Sequence, residues 1–140
     1  MNATIRYATN NDLETLQQLA TLTAIYSPVA MDSIWIAEDQ ASCLGYIACN
    51  QTLDEMTLLG IAVAPQARRQ GIATALHQLA IEHLQPNYAY LEVRASNHAA
   101  QRLYHHLGYR SIGERRDYYP NPDGSRETAL VLRWQSKPKE

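Results

Sequence analysis

The chain has 140 residues, 46% of them hydrophobic and 19% charged, and its 12 Lys and Arg against 14 Asp and Glu give a net charge of −2. These values are typical of a single globular domain that buries a core, and they exclude a disordered chain. Because the chain has no surplus of basic residues, its charge does not predict nucleic-acid binding. The first residues lack the pattern of a signal peptide, and no apolar run reaches the roughly 18 residues of a membrane span. We therefore expect a cytoplasmic protein with neither a nucleic-acid nor a membrane partner.

In chain order, the first half alternates short strands with two helices. A strand is predicted over residues 4–7, and Thr9-x-x-Asp12 has the form of a capping box for the helix that follows. Ser27-Pro28 marks the break after that helix. Strands are predicted over residues 33–38, 44–50 and 56–63, with a turn at 39–42. A second helix is predicted to begin near Gly71 and to end before Pro86.

The second half contains one more helix between strands. A strand is predicted over residues 88–94, and Asn97 is a favourable N-cap for a helix that ends at Leu107, before Gly108. A final strand pair is predicted over 110–119 and 127–134, joined by a turn with an Asp-Gly pair. This order predicts an α/β domain with a mixed sheet over residues 1–134, followed by a polar tail at 135–140.

The spacing of the cysteines and histidines in the sequence does not predict a metal site. Cys43 and Cys49 lie about 20 Å apart if their segment is extended, which is too far for a disulfide. We expect both thiols to be reduced. His77 and the set at positions 98, 105 and 106 are unusual, but no carboxylate lies at metal-binding spacing from them. We therefore predict no bound metal.

The segment from residue 61 to residue 74 is the most informative in the chain. A strand ends, a loop with Arg68 and Arg69 follows, and a helix begins at about Gly71. Unpaired N–H groups and the positive end of the helix dipole favour phosphate at such a position. Gly71 allows the backbone to approach a ligand closely, and the arginines add cationic donors. The alternative is a solvated, Arg-rich helix start.

Two further patterns identify a family. Arg68, Gly71 and Ala73 match motif A of the GNAT acyl-coenzyme A N-acyltransferases, [QR]-x-x-G-x-[GA]. A second group of segments resembles the bacterial ribosomal-protein alanine N-acetyltransferases. It comprises Tyr-Leu-Glu-Val-Arg-Ala-Ser-Asn at 90–97, the Leu-Tyr and Leu-Gly-Tyr that follow, and Arg-Arg-Asp-Tyr-Tyr-Pro at 115–120. The resemblance runs from about residue 53 to residue 132.

The resemblance implies a fold and a cofactor. The fold is α/β, with a single mixed, mostly antiparallel twisted sheet of six to seven strands, helices on both faces and splayed central strands that form the acyl-CoA cleft. Acetyl-CoA is the implied co-substrate. The backbone of Ile61, Ala62 and Val63 would pair with its pantetheine arm, and the amide near Val63 would polarise the thioester carbonyl. The implied cofactor-binding set also includes Arg68, Arg69, Gln70, Gly71, Ile72, Ala73, Thr74 and Asn97.

Two side chains match the family's catalytic pair. Glu92 corresponds to the general base, which takes a proton from the attacking amine directly or through water, and Tyr104 to the general acid, which protonates the departing thiolate. Glu92 also points away from the apolar Leu91 and Val93 of the same strand. The alternatives are that Glu92 is only a salt-bridge partner of a neighbouring arginine, that Tyr104 is only a packed aromatic, and that Asn97 is only an N-cap or has both roles.

The acceptor side is less well defined by the sequence. Asp54 and Glu55 precede the fourth strand, and acidic groups there would suit a basic peptide. Tyr118 and Tyr119 offer flat amphipathic contact area. An ordinary acidic loop and ordinary sheet aromatics are the alternative. The aromatic-Pro-Trp stretch of the family is missing, since Tyr26-Ser-Pro28 is a poor substitute and Trp35 lies in the next strand.

Three functions follow from these residues. The first is acetyl-CoA-dependent acetylation of the N-terminal α-amine of a protein, in particular a small-subunit ribosomal protein, by direct attack on the thioester. The second is acetylation of a small amine such as a polyamine, an amino acid or a drug. The third is a non-catalytic acyl-CoA-binding module, against which the presence of both Glu92 and Tyr104 argues. Either a monomer or a homodimer fits the sequence.

Overall fold

The computed structural model describes residues 3–23, 25–30, 32–40 and 42–137. The chain forms two compact units, Met1–Gln85 and Pro86–Glu140. The first contains β1 (Thr4–Tyr7), α1 (Leu13–Thr23), β2 (Ser33–Glu38), β3 (Cys43–Thr52), β4 (Glu55–Val63) and α2 (Ile72–Leu84). The second contains β5 (Tyr88–Arg94), α3 (His98–His106), β6 (Arg110–Pro120) and β7 (Arg126–Gln135). The predicted α/β class, with seven mostly antiparallel strands, is confirmed.

The four strands of the first unit lie in the order β1-β2-β3-β4, with antiparallel neighbours. The predicted capping box is present, and the Thr9 N–H donates to Asp12 Oδ2 at 2.7 Å. Arg6 of β1 holds the same carboxylate through two hydrogen bonds of 2.8 and 2.9 Å and also pairs with Glu38 at 2.7 Å. The guanidinium therefore keeps the pKa of Asp12 well below its usual range and joins β1 to the helix start and to the end of β2.

Helices cover both faces of this four-stranded sheet. A Cβ on Gly45 would lie 3.4 Å from Ile72 of α2, whereas the next residue, Tyr46, donates to the Tyr26 carbonyl beyond α1 at 2.6 Å. Consecutive strand residues point to opposite faces, so α2 and the segment after α1 lie on opposite sides. The core contains one residue that the apolar pattern did not include, His77, which is 4% exposed; burial lowers its pKa to about 4.

In the second unit the strands lie in the order β5-β7-β6, again antiparallel. Asn97 caps α3 by accepting from the Ala100 N–H at 3.1 Å, as predicted. Gly108 follows the helix with φ of 107°, which is why a glycine stands there. The alternation of β5 buries Ala89, Leu91 and Val93 and leaves Glu92 on the other face.

Several boundaries differ from the prediction. The third strand is longer at both ends, and a two-residue turn at Leu53 and Asp54 joins it to β4, with Thr52 opposite Glu55. Glu55 therefore begins the fourth strand and does not precede it. The last strand includes Gln135, and the Ser136 N–H donates to the Asn87 carbonyl at 2.9 Å, so the predicted tail begins later. Residues 138–140 of that tail lie outside the described residues.

Two other expectations concern the chain as a whole. Cys43 and Cys49 are free thiols, as predicted, and Cys49 is buried. None of the helices in the described ranges combines the length and the apolar character needed to cross a bilayer.

Gly45 provides a test of the packing between β3 and β4. A Cβ at this position would lie 2.6 Å from the carbonyl oxygen of Ala62, so Gly45→Ala forces backbone atoms apart. We expect a loss of about 1–3 kcal/mol in the free energy of unfolding, measured by urea denaturation. Gly113→Ala is the matched control, because nothing lies within 4 Å of its added Cβ. Equal stability of the two variants would contradict this close approach.

Candidate active site

The loop between β4 and α2, in the first unit, carries one group of the predicted site residues. After β4 the chain makes a short 3-10 turn at Pro65–Ala67, and Arg68 is extended. Arg69 and Gly71 then take left-handed backbone angles, with φ of 63° and 78°. This conformation suits glycine and is uncommon for arginine. The two left-handed residues turn the chain sharply into α2.

The start of α2 carries the features of an anion site. Gly71 is its N-cap and has no side chain to accept from the first helical amides, those of Ile72, Ala73 and Thr74. These N–H groups point along the helix axis at its positive end. Arg68 and Arg69 are exposed, and neither forms an ion pair with another described residue. The loop therefore offers backbone donors and two cations to a phosphate group.

The strand before this loop contains a bulge that the sequence analysis missed. Ala48 lies opposite Gly60 but Cys49 lies opposite Leu58, so Leu59 has no partner in β3. Gly60, a glycine inside an apolar strand, was the available signal. A Cβ there would lie 2.9 Å from Ile25 Cγ2, so only glycine lets the segment after α1 lie this close. The residues beyond the bulge, Ile61, Ala62 and Val63, lie opposite Ile47, Tyr46 and Gly45.

Another group of predicted site residues lies on one face of the second unit. Glu92 of β5 and Arg115 of β6 form an ion pair, with Nε and Oε1 at 3.2 Å. The Arg115 guanidinium also lies 5.3 Å from the centre of the Tyr118 ring. Tyr118 and Tyr119 stack edge to face at 5.0 Å, and burial together with the Glu92 charge raises the pKa of Tyr119. The predicted base and the two predicted acceptor-binding tyrosines are thus brought together.

A second arginine fixes this aromatic pair. Arg94 lies 4.7 Å from the Tyr119 ring centre and pairs with Glu127 at 3.1 Å. It also donates to Asn121 Oδ1 at 2.9 Å and to the Pro120 carbonyl at 3.2 Å. The segment of β6 before Tyr119 is irregular, and Asp117 has φ of 52°. Arg126 donates to the Asp117 and Tyr118 carbonyls and so holds this irregular segment.

Tyr104 and Asn97 lie on or beside α3. The Tyr104 side chain is 9% exposed, and burial raises its pKa to about 12, so the phenol is protonated at neutral pH. Its ring packs edge to face against Tyr109, with centroids 6.1 Å apart. Asn97 uses Oδ1 as the helix cap, which leaves its NH2 group as the donor that a ligand would meet.

The other predicted acceptor residues lie in the first unit. Asp54 and Glu55 are exposed and adjacent at the β3–β4 turn. They are acidic, but Asp54 has interactions of its own with other residues. Within the described ranges, no group of three or more His, Cys, Asp or Glu is arranged to hold a metal ion.

Comparison with known proteins identifies the class of enzyme. The sequence model of the acetyltransferase (GNAT) family matches residues 2–109. The chain therefore belongs to this family and is an N-acetyltransferase.

The individual proteins that the chain resembles have names that specify an acceptor, which the family name does not. The ribosomal protein bS18-alanine N-acetyltransferase of Haemophilus ducreyi is 41% identical over 97 residues, which are 67% of this chain and 67% of that protein. The enzyme of that name from Escherichia coli strain K12 is 47% identical over 83 residues, 57% of this chain and 55% of that protein. The chain thus aligns with 55 to 67% of the length of these relatives. The crystal structure of the Escherichia coli ribosomal-protein-S18-alanine N-acetyltransferase superposes with a TM-score of 0.83, at 30% identity, over 99% of this chain and 97% of that one.

Asn97 allows capping and ligand binding to be separated. Asn97→Ala removes the cap, and we expect the free energy of unfolding to fall by about 1 kcal/mol. Asn97→Ser keeps a capping oxygen and should retain the stability of the wild type. Both variants lack the NH2 group, so both should raise KM for acetyl-CoA if Asn97 contacts the cofactor. A KM that Asn97→Ser leaves unchanged would show that Asn97 acts only as a cap.

Proposed function

We propose that this enzyme transfers the acetyl group of acetyl-CoA to the N-terminal α-amine of a protein, in particular an alanine of a ribosomal protein of the bS18 kind. The observation that carries the proposal is the placement of Glu92 beside Tyr118 and Tyr119. A carboxylate next to two amphipathic rings suits an amine at the end of an extended peptide. The names of the relatives support the same acceptor, and such a reaction belongs to the cytoplasm.

The cofactor is bound by the first unit in this proposal. Its diphosphate accepts hydrogen bonds from the amides between Arg69 and Thr74, where the helix dipole favours negative charge. Arg68 and Arg69 contribute charge-assisted hydrogen bonds. The backbone of Ile61–Val63 pairs with the pantetheine arm, and the Val63 amide stabilises the oxyanion of the tetrahedral intermediate. Asn97 is the further proposed contact of acetyl-CoA, to which it donates through its side-chain NH2 group.

The chemistry is a direct transfer with three proton movements. Glu92 takes a proton from the acceptor ammonium, directly or through water, and the freed amine nitrogen bonds to the thioester carbonyl carbon. The tetrahedral intermediate loses a second proton from this nitrogen to water and collapses, the carbon–sulfur bond breaks, and Tyr104 protonates the departing sulfur. Because the pKa of Tyr104 is raised to about 12, it gives up its proton only once negative charge has developed on sulfur. Solvent then returns one proton to Tyr104 and removes one from Glu92.

The acceptor groove is proposed to use charge as well as aromatic contact. Asp54 and Glu55 would attract basic residues of the acceptor peptide. Tyr118 and Tyr119 would lie against its backbone. Acetylation of a small amine by the same catalytic pair is the competing acceptor class, and it is decided by the experiment below.

Intact-mass spectrometry of a peptide panel tests the acceptor. We expect a basic peptide that begins with Ala to gain one acetyl group on incubation with enzyme and acetyl-CoA. The same peptide with a blocked N-terminus should gain nothing, and neither should a blocked peptide with an internal Lys. Small amines should react with a kcat/KM lower by orders of magnitude. Acetylation of small amines alone would overturn the protein-acceptor proposal but would leave the enzyme class intact.

A further inference from the structure

The ion pair between Glu92 and Arg115 conflicts with the role of a general base. A carboxylate that deprotonates an acceptor amine has to contact that amine or its bridging water. Arg115 Nε lies 3.2 Å from Glu92 Oε1, so a guanidinium of the protein occupies this position. The same guanidinium lies over the ring of Tyr118, a predicted acceptor-binding residue. Arg115 therefore lies between the base and the aromatic surface beside it.

The strand register explains how Arg115 reaches Glu92. Both residues point to the same face, since Glu92 is opposite Val131 of β7 and Arg115 is opposite Ala129. The intervening strand carries small side chains at these two positions, so the long arginine side chain can cross it. Ala129 is fully buried beneath that face. This geometry requires an arginine or a side chain of similar length at position 115.

Arg94 and Arg115, which both lie on this face, are held very differently. Arg94 has an ion pair, further hydrogen bonds and a ring contact, which fix it in place. Arg115 has one ion pair and one ring contact, and its side chain is 58% exposed, against 26% for Glu92. A pair this exposed is weak. Arg115 can therefore give up this ion pair and be solvated at little cost.

We propose that Arg115 is an internal competitor for the acceptor: it occupies the cation position beside Glu92 and is displaced by the α-ammonium group of the incoming substrate. This inference rests on the proposed role of Glu92. A free α-amine has an ordinary pKa of about 7.7–8.0, so at neutral pH the acceptor arrives largely as a cation and exchanges with the guanidinium. A neutral or acetylated N-terminus cannot make this exchange. Arg115 thus lowers the affinity of the enzyme for the charged acceptor and leaves its affinity for the acetylated product unchanged.

The test compares Arg115→Met with Arg116→Met in steady-state kinetics, with the acceptor that the panel identifies. Met keeps the length of the side chain and removes its charge. Arg116 is the matched control, because it is 85% exposed and its ion pair is with Glu114 at 3.7 Å. We expect Arg115→Met to lower KM for the acceptor about two- to fivefold with kcat nearly unchanged, because a weak competing ion pair is lost. KM for acetyl-CoA should not change, and Arg116→Met should behave like the wild type.

Calorimetry with the CoA-bound enzyme gives a second readout. Arg115→Met should bind the free-amine peptide about two- to fivefold more tightly than the wild type and the N-acetylated peptide equally well. A large fall in kcat with unchanged KM would instead show that Arg115 positions Glu92, and equal effects in both arginine variants would show a general charge effect. Either result overturns the proposal.

Glu92→Gln separates this inference from the function on which it rests. Full activity of that variant would contradict the proposed base and, with it, the competitor role of Arg115. An inactive Glu92→Gln together with an unchanged acceptor KM in Arg115→Met would overturn the competitor role alone.

Discussion

The proposed binding of acetyl-CoA depends on the backbone conformation at the start of α2. Gly71 has a left-handed conformation and no side chain, so the helix begins with amides that nothing in the helix or its cap accepts. An uncapped helix start lowers stability unless another acceptor is present, and a phosphate is the acceptor that its dipole favours most. Exposed Arg68 and Arg69 at the same loop add to this preference. The start of α2 therefore offers backbone donors and two cations to an anion, which supports the proposed binding of acetyl-CoA at this loop.

The second unit carries the predicted catalytic residues, Glu92 and Tyr104. Strand alternation on β5 separates Leu91 and Val93 in the core from Glu92 on the other face. A single register then places Glu92, Arg94 and Arg115 on one face. Arg94 holds Tyr119, while Arg115 reaches Glu92 across the small residues of β7. Arg94 and Arg115 thus lie on the same face but are held by very different numbers of contacts.

Local signals made most of the fold predictable. Thr9 and Asp12, Asn97 and Gly108 mark helix ends by chemistry that acts within a few residues, and the structure confirms each of them. The β3–β4 turn was not predictable because Leu53 adopts φ of 58°, an angle that its residue type does not indicate. The burial of His77 depends on tertiary packing, which an apolar pattern does not contain. Pairing of Glu92 with an arginine was an open alternative, but only strand register identifies Arg115 as the partner.

We propose that the backbone between Ile61 and Thr74 binds acetyl-CoA, while Glu92 and Tyr104 carry out the proton transfers. The most direct test is to measure kcat and the acetyl-CoA dissociation constant for Glu92→Gln and Tyr104→Phe. Each variant should lower kcat by about 10²–10⁴, because general acid and base groups contribute this much, while the dissociation constant stays within about twofold of the wild type. Full turnover in both variants, or a loss of cofactor affinity that accounts for the whole effect, would contradict the claim.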